Sequence, residues 1–197
     1  MNREKIGIFL AYFMQLLILL SVIISFFSGE YFYLVGAIIA LIITFLPSII
    51  SKKWNITLPW ILNLLIALSL YLYAGGLIFG YYEAFSPFYD SFHHFVGSVT
   101  VALLGFTSVI IINHQSNLKL NKRHITLFIV IFTMAIGSFW EIFEFFFDMF
   151  FNGHSQPSLT DTIYDMIFNF FGGMFIAILT NINYEPMKNN IIKKTTC

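Results

Sequence analysis

A group of ionisable side chains lies within or beside three long apolar stretches in the second half of the sequence. It comprises six of the ten acidic residues and three of the five histidines: Asp90, His93, His94, Glu141, Glu144, Asp148, His154, Asp161 and Asp165. An ionised side chain at mid-helix in hydrocarbon costs about 3 kcal/mol, so such groups usually pair, bind a cation or serve a conduction pathway. Carboxylates with imidazole suit Zn, Mn, Fe or Mg, and the spacing selects none of these metals. The pattern therefore predicts a polar site that binds a divalent metal, or a chain of groups that conducts protons or cations.

The first of the three stretches begins with an aspartate and carries a histidine one turn later. Asp90, His94 and Gly97 share one helical face at i, i+4 and i+7, while His93 lies about 100° around the helix from His94. Asp90 alone could equally be a helix N-cap. An N-cap does not explain His94, which is expected about one turn inside the bilayer.

The second stretch carries an acidic stripe. Glu141, Glu144 and Asp148 are spaced i, i+3 and i+7, which places Glu141 about 15 Å and Glu144 about 10 Å below the outer end of a helix. Two carboxylates one turn apart repel, so one is protonated unless a cation lies between them. Glu141 or Glu144 could then act as a general base. The alternatives are neutral acids bonded to neighbouring helices, and solvated side chains for Asp148 and for His154 in the following loop.

The third stretch repeats an acidic pattern at four-residue spacing. Asp161, Asp165 and Asn169 follow one face, and Gly172-Gly173 continue it. Asp161 could instead be an N-cap, with Thr160 as a competitor. Asn169 would orient a ligand or water, or hydrogen-bond across helices, and the glycines would permit close helix packing.

The composition predicts that these residues belong to a membrane protein. Of 197 residues 58% are hydrophobic and 10% charged, with a mean hydropathy of +0.83, whereas soluble domains carry about 25% charged residues. Six stretches reach the roughly 20 apolar residues of a membrane span, at about 6–27, 31–50, 58–80, 91–113, 125–150 and 162–180. We expect an all-α, six-transmembrane-helix bundle that forms a single membrane domain over residues 1–197. The net charge of zero gives no basic face for nucleic acid.

The basic residues predict the orientation of this bundle. In a six-span arrangement every lysine and arginine falls on one side: Arg3, Lys5, Lys52, Lys53, Lys119, Lys122, Arg123, Lys188, Lys193 and Lys194. Basic loops remain in the cytoplasm, so both termini are expected there and the ionisable cluster near the outer face. The first three spans carry no charge within the membrane, an asymmetry that argues against a transporter built from matched inverted repeats.

Several chemistries are disfavoured by what the sequence lacks. No G-x-S-x-G nucleophile motif occurs, and the three outer loops contain no Lys or Arg to bind phosphate. A phosphate-bearing substrate would therefore need metal ions to supply positive charge.

The segment from about 86 to 180 resembles the YjdF-like and VanZ-like group of small bacterial membrane proteins. The matching elements read Asp90-Ser-Phe-His-His94, Trp140-Glu141-Ile-Phe-Glu144 and Asp161-Thr-Ile-Tyr-Asp165-Met-Ile-Phe-Asn169-Phe-Phe-Gly172. Thr162, Met166 and Gln156 are closer to the YjdF-like members, and the Arg that commonly precedes the final acids in VanZ-like proteins is absent. The resemblance implies a multi-pass protein of the bacterial cytoplasmic membrane, and the VanZ association with glycopeptide resistance implies a role in the cell envelope.

Three functions follow as hypotheses. The first is an envelope enzyme, a metal-assisted hydrolase or transferase acting on a lipid-linked or amphiphilic substrate among the membrane lipids. Asp90, His94, Glu144 and Asp165 would hold the ion together with Glu141, and His93, Asp148, His154, Asp161 and Asn169 are possible additions. The second is a proton- or divalent-cation-coupled transporter that uses the same residues as a relay. The third is a non-catalytic envelope or antibiotic-resistance factor in which the cluster is structural.

Overall fold

The fold is helical throughout the part of the chain that the structure describes. The structure is a computed structural model, which describes residues 3–54, 58–86, 88–116, 118–151 and 155–195. Within these residues it forms eight helices and no strand: α1 (Arg3–Ser28), α2 (Tyr31–Trp54), α3 (Trp60–Ile78), α4 (Tyr81–Ala84), α5 (Phe88–Gln115), α6 (Lys122–Phe151), α7 (Leu159–Ile182) and α8 (Tyr184–Thr195). An apolar chain in lipid forms helices because each backbone N–H and C=O then finds its partner within the same segment.

Six of the described helices, α1, α2, α3, α5, α6 and α7, are long and apolar enough to cross a membrane. This confirms the predicted all-α protein with six membrane-spanning helices. The helices from α5 onward extend two to three residues beyond most of the predicted limits, because a helix continues past its apolar run into the polar interface. The segment 81–90, which lies between the predicted spans 58–80 and 91–113, contains α4 and the first turn of α5, while Pro87 lies outside the described residues.

The helices divide into two compact units, and the first comprises residues 1–93 and 190–197. Its core is a cluster of Ile18, Ala37, Ala40 and Ala74 from α1, α2 and α3. The alanines let the helix backbones approach closely, which replaces the hydrophobic driving force that is missing between helices in lipid. Gly29, at a φ of 78°, makes the turn between α1 and α2 in a backbone conformation that favours glycine.

The second unit comprises residues 94–189, and therefore most of α5 with α6, α7 and the start of α8. Here α5 and α7 pack backbone to backbone: a Cβ on Gly172 would lie 2.7 Å from Ser98 Cβ and 2.9 Å from the Phe95 carbonyl oxygen. Gly173 lies against Thr133 of α6, where a Cβ would be 3.2 Å from the threonine Cβ. The predicted role of the Gly172-Gly173 pair in close helix packing is thereby confirmed. The three helices are held at a separation at which short polar side chains can meet.

Candidate metal centre

Three ionisable side chains from three different helices meet in the interior of the second unit. His94 of α5, Glu141 of α6 and Asp165 of α7 are 5%, 6% and 2% exposed. The His94 Nδ1 atom lies 3.6 Å from Glu141 Oε1, and His94 Nε2 lies 3.9 Å from Asp165 Oδ1. One potential ligand atom from each residue falls within 4.8 Å of the other two. The imidazole therefore lies between two carboxylates.

The depth of this cluster follows from where each residue sits in its helix. His94 and Asp165 are each six residues after the first residue of α5 and α7, which is about 9 Å of helix rise. Glu141 lies ten residues before the end of α6, about 15 Å from that end. The cluster therefore lies nearer to the beginning of α5 and of α7, and nearer to the end of α6, than to the opposite ends of these helices.

A second polar layer lies one helical turn further along the same three faces, at Ser98, Gly137 and Asn169. The Ser98 hydroxyl donates a hydrogen bond of 2.5 Å to Asn169 Oδ1, and Asn169 also interacts with the His94 imidazole. Gly137 makes room for the amide, since a Cβ there would lie 2.7 Å from Asn169 Nδ2. Asn169 is 3% exposed, yet within the described chain its Nδ2 has no hydrogen-bond acceptor. The layer thus presents a buried amide donor with unused capacity.

Polar side chains give way to apolar ones within two more turns. The next positions on the faces are Ala102, Thr133 and Gly173, and the Thr133 hydroxyl donates to the Ile129 carbonyl of its own helix at 2.8 Å. The positions after those are Phe106, Ile129 and Ala177, which are at most 1% exposed. We call these last three residues the apolar layer. It closes the polar column on the side away from the cluster.

The loop after α6 folds back along that helix. The backbone N–H groups of Ser155 and Gln156 donate to the two oxygens of Asp148, at 2.9 and 2.8 Å. The Gln156 side-chain amide then donates to the Glu141 carbonyl oxygen at 2.9 Å and to Glu141 Oε2 at 3.1 Å. Asp148 and Gln156 therefore connect the loop to the cluster, a role that the spacing of the sequence did not reveal.

Glu144 does not join the cluster. Its Oε1 accepts a hydrogen bond of 2.9 Å from Trp140 Nε1 on the same helix, and its side chain is half-buried. It belongs to none of the groups of converging ligand atoms among the described residues. The two predicted glutamates thus separate: Glu141 points into the helix bundle of the second unit, and Glu144 pairs with an indole.

Asp161 lies in the first turn of α7 and is not its N-cap. Ser158 is the N-cap, and its hydroxyl oxygen accepts from the Asp161 backbone N–H at 3.2 Å. The alternative that Asp161 or Thr160 caps this helix is therefore wrong. Asp161 lies close enough to Glu141 to interact electrostatically, and its buried Oδ2 lacks a hydrogen-bond partner within the described residues. His154, the remaining candidate from this region, lies outside the residues that the structure describes.

Asp90 and His93 lie on α5 just before the boundary of the second unit. Asp90 stands within the first turn of the helix, and so is not its N-cap. The His93 Nδ1 atom lies 3.1 Å from the hydroxyl of Tyr82, and both residues belong to the first unit. His93 therefore has an aromatic partner of its own.

The residue types of the cluster, one imidazole and two carboxylates, are ligands that divalent metal ions take in proteins. Carboxylate and imidazole ligands lie about 2.0–2.2 Å from such an ion, so two ligands of one ion are roughly 3–4 Å apart, and the 3.6 Å between His94 Nδ1 and Glu141 Oε1 fits this range. The 3.9 Å contact of Asp165 is to the opposite ring nitrogen, Nε2, and the three residues can share one ion only through the set of ligand atoms that lie within 4.8 Å of one another. Glu141 Oε1 is buried and has no hydrogen-bond partner in the described part of the chain. The buried His, Asp and Glu groups are close enough together to bind a metal ion.

Fold and site together define a multi-pass helical membrane protein with a buried histidine–carboxylate cluster. The chain belongs to the family described as "Predicted membrane protein (DUF2238)", whose model matches residues 9–185. The match begins within α1 and covers the other five apolar helices and every residue of the cluster. No curated protein and no solved structure matches the chain.

Proposed function

We propose that this protein is a metal-dependent enzyme of the bacterial cytoplasmic membrane, a hydrolase or transferase for a lipid-linked or amphiphilic envelope substrate. The observation that carries the proposal is the convergence of His94, Glu141 and Asp165 on one buried point. Three protein ligands with an open position are typical of catalytic metal sites. We propose further that the chain acts as one membrane domain with both termini in the cytoplasm.

The residues of this chain have separate roles in the proposed reaction. His94, Glu141 and Asp165 hold the ion, which when bound would act as a Lewis acid on a carbonyl or phosphoryl oxygen. Asn169, whose Nδ2 is buried without an acceptor among the described residues, donates a hydrogen bond to an oxygen of the substrate or of water. Ser98 fixes the orientation of that amide through Asn169 Oδ1.

The choice of substrate rests on access and charge. The cluster lies near the helix ends that the basic residues assign to the outer side, and the outer loops carry no Lys or Arg. An amphiphile in the outer leaflet could bring its polar head to that depth while its chains remain in lipid. The resemblance to YjdF-like and VanZ-like proteins supports an envelope substrate, with the YjdF-like members as the closer pattern.

A measurement of bound metal tests the proposal. The protein would be purified in nanodiscs without added metal, and its metal content determined by mass spectrometry after loading with Zn, Mn, Fe or Mg. We expect one ion per chain in the wild type and in Glu144→Gln, and a loss of at least tenfold in affinity in His94→Ala and Asp165→Asn. No bound metal under any loading condition would overturn the metal centre.

Glu141→Gln separates the two roles predicted for Glu141. If the carboxylate binds the ion, the variant loses metal along with activity. If it is a general base, the variant retains metal and loses activity alone. Activity would be followed as a change in the lipid-linked species of the host membrane, compared by mass spectrometry between cells that express the wild type and the variant.

A second function is supported by the two nitrogens of His94, which face different carboxylates. A carboxylate–imidazole–carboxylate chain is suited to passing protons, as in pumps and transporters. The apolar layer of Phe106, Ile129 and Ala177 argues against a route across the membrane along these three helix faces. We therefore rank proton or cation transport below the enzyme.

A further inference from the structure

We infer that Gln156 is a positioning residue for Glu141, and that Asp148 is the anchor that brings Gln156 to it. The inference rests on the proposed function in one respect, that Glu141 binds the ion. It also gives Asp148 a role other than that of a metal ligand.

The anchor is a carboxylate that accepts two consecutive backbone N–H groups. Ser155 N donates to Asp148 Oδ1 at 2.9 Å and Gln156 N donates to Oδ2 at 2.8 Å, so both oxygens of one carboxylate are engaged. Hydrogen bonds to an ionised acceptor are roughly twice as strong as those between neutral groups. Because the acceptor is on α6 and the donors follow the helix, these bonds fold the chain back against its own helix. We call Ser155 and Gln156, held in this way, the strap.

The strap places the side-chain amide of Gln156 against Glu141. Gln156 Nε2 donates to the Glu141 main-chain carbonyl at 2.9 Å and to Oε2 at 3.1 Å. The amide has two N–H groups, so both bonds can form at once. The contact to the main chain fixes where the amide lies, and the contact to Oε2 fixes the rotation of the carboxylate.

As a consequence, the two carboxylate oxygens of Glu141 have different partners. Oε2 is occupied by Gln156, whereas Oε1 lies 3.6 Å from His94 Nδ1 and has no hydrogen-bond partner within the described chain. Without the strap the Glu141 carboxylate could rotate, and Oε1 would no longer face His94 Nδ1. Removing such a supporting contact in metal sites typically lowers metal affinity by 10- to 100-fold.

Gln156→Met tests the positioning because methionine keeps the length of the side chain and removes both donors. We expect Zn²⁺ affinity about 10- to 100-fold weaker than in the wild type, with an unchanged melting temperature. Gln115→Met, at the exposed end of α5, is the matched control and should bind Zn²⁺ as the wild type does. An affinity in Gln156→Met equal to that of the control would overturn the inference.

Asp148→Asn tests the anchor. The amide of asparagine offers one acceptor oxygen in place of two, so the backbone amides of Ser155 and Gln156 should exchange hydrogen faster, and Zn²⁺ affinity should fall as in Gln156→Met. Since both residues act through one contact, the double variant should be no weaker than Gln156→Met alone. Additive losses in the double variant would show that Asp148 acts on the ion independently, and would overturn its assignment as the anchor.

A readout without metal keeps this inference separate from the proposed function. The infrared carboxyl band of Glu141, identified by its disappearance in Glu141→Gln, should shift in Gln156→Met and stay in place in Gln115→Met. If the wild type binds none of Zn, Mn, Fe and Mg, the proposed metal centre fails, while this shift still supports the strap. An unshifted band in Gln156→Met overturns the strap whatever the metal result.

Discussion

At the scale of single residues, side chains that share one spacing pattern in the sequence differ in burial and in hydrogen-bond partners in the second unit. His94 was expected about one turn inside the bilayer, and it is 5% exposed; Asp165, one turn after Asp161 on the predicted face of α7, is 2% exposed. Glu141 and Glu144 could not be separated, since residues three apart share a helical stripe. Their difference comes from partners: the Trp140 indole binds Glu144, and Gln156 binds Glu141. Gln156 itself was not predicted as a site residue, because its place depends on a loop that Asp148 folds back.

Gly137→Ala should disturb Asn169. The new Cβ would lie 2.7 Å from Asn169 Nδ2 and 3.0 Å from its Cγ, so the amide must move and weaken its bond to Ser98. Overpacking of this kind costs about 1–3 kcal/mol, and we expect a lower melting temperature in detergent.

Gly97→Ala is the matched control for that change. Within the described structure nothing lies within 4 Å of a Cβ at Gly97, so alanine should be neutral or slightly stabilising there. Equal melting temperatures for the two variants would contradict the packing described around Asn169.

At the scale of helices, length and apolar character were enough to predict the six spans, but not where each begins. The start of α7 depends on a side-chain oxygen at Ser158, a residue that resembles its polar neighbours in the sequence. Likewise α4 lies between the third and fourth predicted spans, in a segment that length and apolar character did not predict to be helical. On α7, Asp165 and Asn169 are both buried, because spacing of four residues keeps side chains on one face whatever the helix limits are.

Ser158→Ala should loosen the first turn of α7. The Asp161 N–H would lose its acceptor, which typically costs 0.5–2 kcal/mol, about 1 kcal/mol in most helices. Hydrogen exchange in the peptide from 159 to 163 should accelerate.

Thr160→Ala, two residues further along the chain and also exposed, provides the comparison for this cap. It should leave exchange unchanged, because Ser158 and not Thr160 accepts the Asp161 N–H. Faster exchange in Thr160→Ala than in Ser158→Ala would restore threonine as the cap.

At the scale of the whole molecule, the number of spans and their orientation can be predicted from the sequence. All ten Lys and Arg residues fall on one side of the six spans, and the described helices reproduce those spans. The division of the chain into two compact units could not be predicted from the sequence, because its boundary runs through the continuous helix α5, between His93 and His94. Such a boundary depends on which helices pack together, and every span is apolar enough to pack in several ways.

The orientation is testable with single cysteines in a Cys197→Ser background. Ser86→Cys lies between α4 and α5, on the side without basic residues, and should react with a membrane-impermeant maleimide on intact cells. Ser116→Cys, just after α5, should react only after the membrane is permeabilised. The reverse pattern would invert the topology and move the cluster to the cytoplasmic side.

Reconstituted protein should not dissipate a proton gradient. Phe106, Ile129 and Ala177 offer no polar atom from their side chains, so a proton that reaches His94 has no onward partner on these faces. In liposomes with an internal pH indicator, the wild type should leak no faster than Asp165→Asn. Proton uptake that depends on Asp165 would favour the relay over the enzyme.

The apolar layer also determines how strongly the membrane potential can affect cation binding at the cluster. Moving one charge across a full membrane potential of 100 mV is worth about 2.3 kcal/mol, and the potential falls chiefly across the part of the protein that excludes water and ions. In the proposed orientation, a cation that reaches the cluster from outside stops before that layer and so crosses only a fraction of the field. Its binding should therefore change little between energised and de-energised cells. The occupancy of the site would then depend on the external ion concentration rather than on the membrane potential.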